Sequence, residues 1–185
     1  MAILGLDIST SCTGYCLLED DGTLKGLGFI PLGKHKTHFN KANRVMSDLR
    51  QFKKNHNISI IAIEENLQSF RTGFSSAQTL SSLAKFNGVV AYLCEDIFGL
   101  QPQFFNVNSA RKTVGLKIIS RKKGGDNTKD QVLEWAKSEL GPSYSWPTKT
   151  LKSGPRKNLT VLEPGCYDMA DAYVIARSAL LEHFK

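Results

Sequence analysis

Apolar residues fall first into short runs and later recur at helical spacing, and the change of period lays out the chain. Ile3 to Ile8 and Thr13 to Glu19 are two such runs, joined by the turn-forming Ser9-Thr10-Ser11. Asp20-Asp21-Gly22 then turns the chain toward a third run, Leu24 to Pro31. Three antiparallel strands are therefore expected at the start, followed by a polar loop rich in Lys and His from Gly33 to His38. Val45, Met46, Leu49 and Phe52 predict a helix over about 41–55, and the Ile-dense run Ile58 to Glu64 predicts a buried strand. A long helix is expected over 73–98, with Ala77, Leu80, Leu83, Ala84, Val90 and Leu93 on its apolar face. Gly88 would mark a close helix contact there. A short strand over 103–107 follows, then helices over 109–114, 128–140 and 167–184. That order describes a mixed α/β sheet with helices on its faces.

Two segments do not fit the pattern. Residues 117–129 form a basic insertion holding Gly124-Gly125, and 141–165 is a long, proline-containing, basic loop without periodicity. Loops of this length in a compact domain are usually functional. At 185 residues the chain suits one domain, spanning 1–185, and its 41% hydrophobic and 22% charged residues are those of a folded, water-soluble protein. No run is apolar enough to span a bilayer, and the N-terminus reads as a strand rather than a signal peptide. Cys12, Cys16, Cys94 and Cys166 are scattered with no supporting histidine. They read as reduced thiols, against a metal pair at Cys12 and Cys16, and so imply the cytoplasm or another reducing intracellular compartment rather than secretion.

A formal net charge of +7 favours a polyanionic partner. Against that basic background four acids stand out. Period-two alternation puts Ile3, Gly5 and Asp7 on one face of the first strand. Glu64 ends the Ile-rich strand, and it and Glu65 point to opposite faces, so one of them at most can meet Asp7. Asp168 and Asp171, three residues apart, share a face of the last helix with Ile175 and Ala179. Each acid alone has an ordinary explanation as a turn, strand-end or helix-start residue. Converging, they would suit a hard divalent cation such as Mg²⁺, and two such ions ~4 Å apart can drive phosphodiester hydrolysis.

Three motifs in order resemble those of the RuvC-type Holliday-junction resolvases. These are Ile3-Leu4-Gly5-Leu6-Asp7-Ile8-Ser9 followed by Thr13-Gly14-Tyr15, then Ala62-Ile63-Glu64, then Asp168-Met169-Ala170-Asp171-Ala172. The resemblance covers nearly the whole chain. It implies a ribonuclease-H-like fold: a five-stranded mixed sheet, three antiparallel strands then two parallel ones, flanked by helices. It also implies a homodimeric, Mg²⁺-dependent crossover junction endodeoxyribonuclease that cuts four-way DNA junctions by symmetric paired nicks. Two ions would bind per site, Mn²⁺ substituting, with Asp7 between them and Glu64, Asp168 and Asp171 completing the quartet. Arg111 and Lys129 match basic positions that contact DNA in the family. No membrane and no nucleotide cofactor are implied.

The chain departs from that pattern at Leu67, where the family has an aromatic residue; Phe70 or Phe74 would have to replace it. The insertion and the long loop exceed the compact bacterial pattern, as a viral or organellar branch would, in host cytoplasm if viral. Three alternatives stand beside the resolvase reading. They are a nuclease on other branched DNA or RNA, a non-catalytic nucleic-acid binder on the same fold, and an actin-like or sugar-kinase-type ATP-binding protein, whose phosphate loop also opens with strand, Asp and a Ser/Thr-rich turn. The last needs a second domain for which this chain has no room.

Overall fold

A computed structural model describes residues 1–65 and 77–184. Strands β1 (Ala2–Ile8), β2 (Cys12–Glu19) and β3 (Leu24–Pro31) form an antiparallel meander. Helix α1 (His38–Asn55) leads to β4 (Ile58–Glu64), helix α2 (Ala77–Phe98) to β5 (Gln103–Phe105), and both strands join in parallel. The sheet order is β3-β2-β1-β4-β5, the mixed sheet expected from the sequence. Helices α3 (Val107–Thr113), α4 (Thr128–Leu140) and α5 (Gly165–His183) complete the main body.

Alternation along β1 sorts the two cores. Leu4, Leu6 and Ile8 face α1 and α2, packing with Val45, Leu49, Phe86 and Val90. Ile3 faces α5, with Met169, Ala172, Ile175 and Ala176 around it, and α4 adds Val132 and Leu133 behind. Every large side chain named here is essentially out of water, so a one-residue slip of β1 would exchange the contents of the two cores.

The elements differ from the sequence expectation at their ends. Helix α1 begins at His38, earlier than its apolar period, because the Thr37 side chain accepts from the Asn40 N–H at 3.2 Å and caps the turn. The segment over 141–165 is not a plain loop. It holds a second, two-stranded antiparallel sheet of β6 (Thr148–Thr150) and β7 (Thr160–Leu162). Three-residue strands are too short to show alternation. Their pairing is carried outward instead by bonds such as Asn158 N–H to the Leu151 carbonyl at 2.8 Å. Gly88 is exposed, and a Cβ there would meet nothing within 4 Å, so no close contact among the described residues explains it. All four cysteines are free, and among the described residues no helix is long and apolar enough to cross a membrane.

Helix α5 lies directly on β1 and β2 because two glycines let it. A Cβ on Gly5 would stand 2.7 Å from the Ala172 carbonyl oxygen, and one on Gly14 would stand 2.0 Å from that of Asp168. Both neighbours are backbone and cannot step aside. Gly14→Ala is expected to cost about 2–3 kcal/mol, as overpacking does, measured by urea denaturation. Gly26→Ala, whose new methyl would meet only side chains, Leu17 at 3.4 Å and Tyr15 at 3.9 Å, should change stability by less than about 0.5 kcal/mol. Equal effects at both positions would contradict this packing.

Candidate active site

The close seating of α5 decides where its acids point. Asp168 lies in the first turn and Asp171 one turn further in, 7% exposed. Asp7 pairs with Gly14 in the β1–β2 ladder, next to the place where the Asp168 backbone touches Gly14. Glu64 ends β4, the parallel neighbour of β1. Asp7, Glu64, Asp168 and Asp171 thus line one cavity of about 300 Å³, which Arg111 of α3 and Lys129 of α4 also enter. Ser9 and Glu65 lie at the same cavity, as do Leu80 and Leu83 of α2.

Gathering acids away from water raises their pKa values. Burial, and then the charges of Glu64, Asp171 and Asp168, push Asp7 well above the usual carboxylate range, with Lys129 opposing. Burial and then Asp171 push Glu64 up to about 7, against Arg111, Lys129 and a side-chain hydrogen bond with Asp7. Asp168 and Asp171 are raised too, chiefly by burial.

Two further groups answer the excess charge. Arg111 Nη2 donates to Asp171 Oδ1 at 3.1 Å, with both side chains largely enclosed, at 14% and 10% exposure. The guanidinium that the resemblance placed against DNA is thus turned inward, and its buried Nε has no hydrogen-bond partner. Lys129 lowers the pKa of all four acids from across the cavity. Cys12, which the sequence did not single out for the site, hydrogen-bonds Asp168. Burial and then the Asp168 charge push its thiol up, so it stays protonated and donates. The only sequence signal for Cys12 was its place at the start of β2, opposite the end of β1.

The donor set fits a hard divalent cation: all oxygen, negative, and on three rigid elements. The fit is also electrostatic, because burial holds all four carboxyls above their usual pKa even with Arg111 and Lys129 beside them, and added positive charge favours their ionised forms. Among the described residues no three acids already close into a metal-binding cluster. Asp171 is turned to Arg111, and Asp7 to Glu64. Leu67, Phe70 and Phe74, where a stacking aromatic was sought, lie outside the described residues.

These shifts make the metal-free protein sensitive to pH. An acid whose folded pKa exceeds its unfolded value keeps its proton longer when folded. The stability Glu64 contributes is therefore present in full below about 4.5 and lost as pH rises through about 7. In chelator at pH 8, Glu64→Gln should stabilise the protein by about 1–3 kcal/mol and flatten stability between those pH values. A lower melting temperature for Glu64→Gln at pH 8 would contradict the crowding of charge.

Comparison with known proteins agrees with this architecture. No protein-family model matches the chain, and no curated sequence does. Among solved structures, RuvC of Thermus thermophilus superposes with a TM-score of 0.60 at 16% identity, covering 97% of this chain and 94% of that one. The same protein in complex with a Holliday junction substrate gives 0.63 at 15% identity, covering 97% and 93%. The yeast mitochondrial Holliday junction resolvase gives 0.55 at 17% identity, covering 98% and 80%. At such identities the likeness is one of fold, and it runs the length of the chain: this protein has the ribonuclease-H-like fold of the RuvC-type Holliday-junction resolvases.

Proposed function

We propose that the protein is a structure-selective endonuclease that resolves four-way DNA junctions by paired, symmetric hydrolytic nicks. One observation carries the chemistry: Asp7, Glu64, Asp168 and Asp171, from β1, β4 and α5, line a single cavity in an otherwise basic chain. The fold shared with junction resolvases supports the choice of substrate.

The four carboxylates would hold two Mg²⁺ ions, with Mn²⁺ able to substitute. Bound there, the metal supplies an activated water and neutralises charge on the leaving oxygen. The protein's own part is positioning and charge. The α5 backbone, fixed against Gly14, holds Asp168 and Asp171 in place. Leu80 and Leu83 restrict water on the α2 side of the cavity. Lys129 stands among the acids, where it can draw the scissile phosphate in against their repulsion. Arg111 already holds Asp171, so a phosphate drawing on the same guanidinium would compete with that carboxylate.

Two cuts related by symmetry call for two sites related by a two-fold axis, hence a homodimer. The outer face of α2 suits the pairing. Lys85, Gly88, Val89 and Tyr92 follow one another at helical spacing and are exposed, Tyr92 by 66%. The bare Gly88 would let a second helix come close.

A synthetic four-way junction in Mg²⁺ or Mn²⁺ should receive paired nicks at symmetric positions, beside forks, flaps and RNA–DNA hybrids as comparators. Asp7→Asn should lower the rate by at least about a hundredfold while junction binding persists. A protein that binds junctions but leaves them whole with every divalent metal would overturn the proposal; preferential cutting of a comparator would reassign the substrate.

A further inference from the structure

The acidic cavity is not the largest in the molecule. A second cavity, of about 670 Å³, opens between the end of β3, the loop leading into α1 and the β6–β7 hairpin. Its apolar lining comes from Phe29, Pro31 and Pro164. Lys34, Arg44 and Lys149 bring positive charge, and Glu163 is the one acid among its described lining residues. Arg44 is held by Asp48 at 3.1 Å, and Lys149 stands 3.8 Å from Glu163.

The segments forming its two walls are unusual in charge. No Asp or Glu occurs between Gly22 and Ser47, a stretch that includes Lys34, Lys36 and Lys41. None occurs between Gly141 and Leu162, a stretch that includes Lys149, Lys152, Arg156 and Lys157. The second is the segment that the sequence marked as a basic loop without an assigned role. The structure brings the two together across an apolar floor.

The cleft also adjoins the candidate active site. Cys12 lines it, and the Cys12 thiol hydrogen-bonds Asp168, which lines the acidic cavity. The Cys12–Asp168 pair therefore joins the linings of the two spaces. On the side of α1, Lys41 Nζ donates to the Thr10 carbonyl, fixing the basic wall to the turn that follows Asp7.

Resting on the nuclease reading above, we infer that this cleft receives one unstacked nucleotide of the DNA strand next to the scissile phosphate. Charge complementarity identifies a polyanion. The apolar floor adds a demand that a duplex backbone does not meet, since a base inside a duplex keeps its faces stacked. The Phe29 ring already packs against the Gly165 backbone, so an unstacked base would lay its face on the apolar lining of Phe29, Pro31 and Pro164 together, and its flanking phosphates would meet Lys34 and Lys149. Branched DNA supplies such bases cheaply, because unstacking costs least where pairing is already interrupted. Glu163 presents an acceptor that favours a base with an exocyclic amino group, so the cleft would also impose a sequence preference on cutting.

Gly33 allows a clean test. It lines the cleft, and a Cβ there meets nothing within 4 Å, so Gly33→Trp would fill the space without disturbing the core. Junctions carrying 2-aminopurine at successive positions around the cut would be bound to the otherwise wild-type protein in Ca²⁺. Fluorescence should change at one position near the scissile phosphate. Gly33→Trp should abolish that change and weaken junction binding about tenfold, with an unaltered melting temperature. Lys34→Glu with Lys149→Glu should reduce the salt dependence of binding by a slope of about two. An unchanged aminopurine signal in Gly33→Trp, with junctions still cut by the wild type, would overturn the cleft alone. Failure of the wild type to bind or cut any junction would instead overturn the nuclease reading on which the cleft rests.

Discussion

The constraint on which the structure turns is the packing of α5 against β1 and β2 at backbone distance. Without side chains at Gly5 and Gly14, the helix comes close enough to bring Asp168 and Asp171 to the end of β1, where Asp7 already stands. The parallel pairing of β4 with β1 then adds Glu64. Four carboxyl groups are thereby forced into a space with little water, and much else in the site answers that crowding. Asp7 and Glu64 are held above the usual carboxylate range, Arg111 pairs with Asp171, Cys12 donates to Asp168, and Lys129 faces them all. Each response lessens the repulsion, and none supplies the double charge that a divalent cation would.

Much of this was legible in the residues. Alternation along β1 placed Asp7 on the face of Ile3 and Gly5, and the structure seats that face under α5. The spacing of Asp168 and Asp171 put them on one side of a helix, and a strand rich in Ile carried Glu64 to the sheet centre. These features rest on periodicity, which local sequence records directly. What was illegible depends on contacts distant in sequence. Arg111 is sixty residues from Asp171, and its inward turn follows from charge that assembles only when the sheet and α5 meet. The β6–β7 hairpin has strands too short to carry a period, so it read as a loop. Cys12 looked like an ordinary strand-start thiol until α5 brought Asp168 beside it.

Acid and base are divided in space in a way that suits a nuclease. The chain is basic as a whole, its acids of interest are concentrated at one point, and two acid-free basic segments stand beside that point. A polyanion would be held by the surround while the acidic cavity, once charged with cations, admits a single phosphate.

The central claim is that these four carboxylates form one divalent-cation site, and anomalous X-ray diffraction from crystals soaked in Mn²⁺ tests it most directly. The account predicts manganese peaks within the cavity bounded by Asp7, Glu64, Asp168 and Asp171, with Arg111 drawn away from Asp171. Crystals that take up manganese elsewhere on the surface, while the Arg111–Asp171 pair stays intact and the cavity holds no peak, would contradict it.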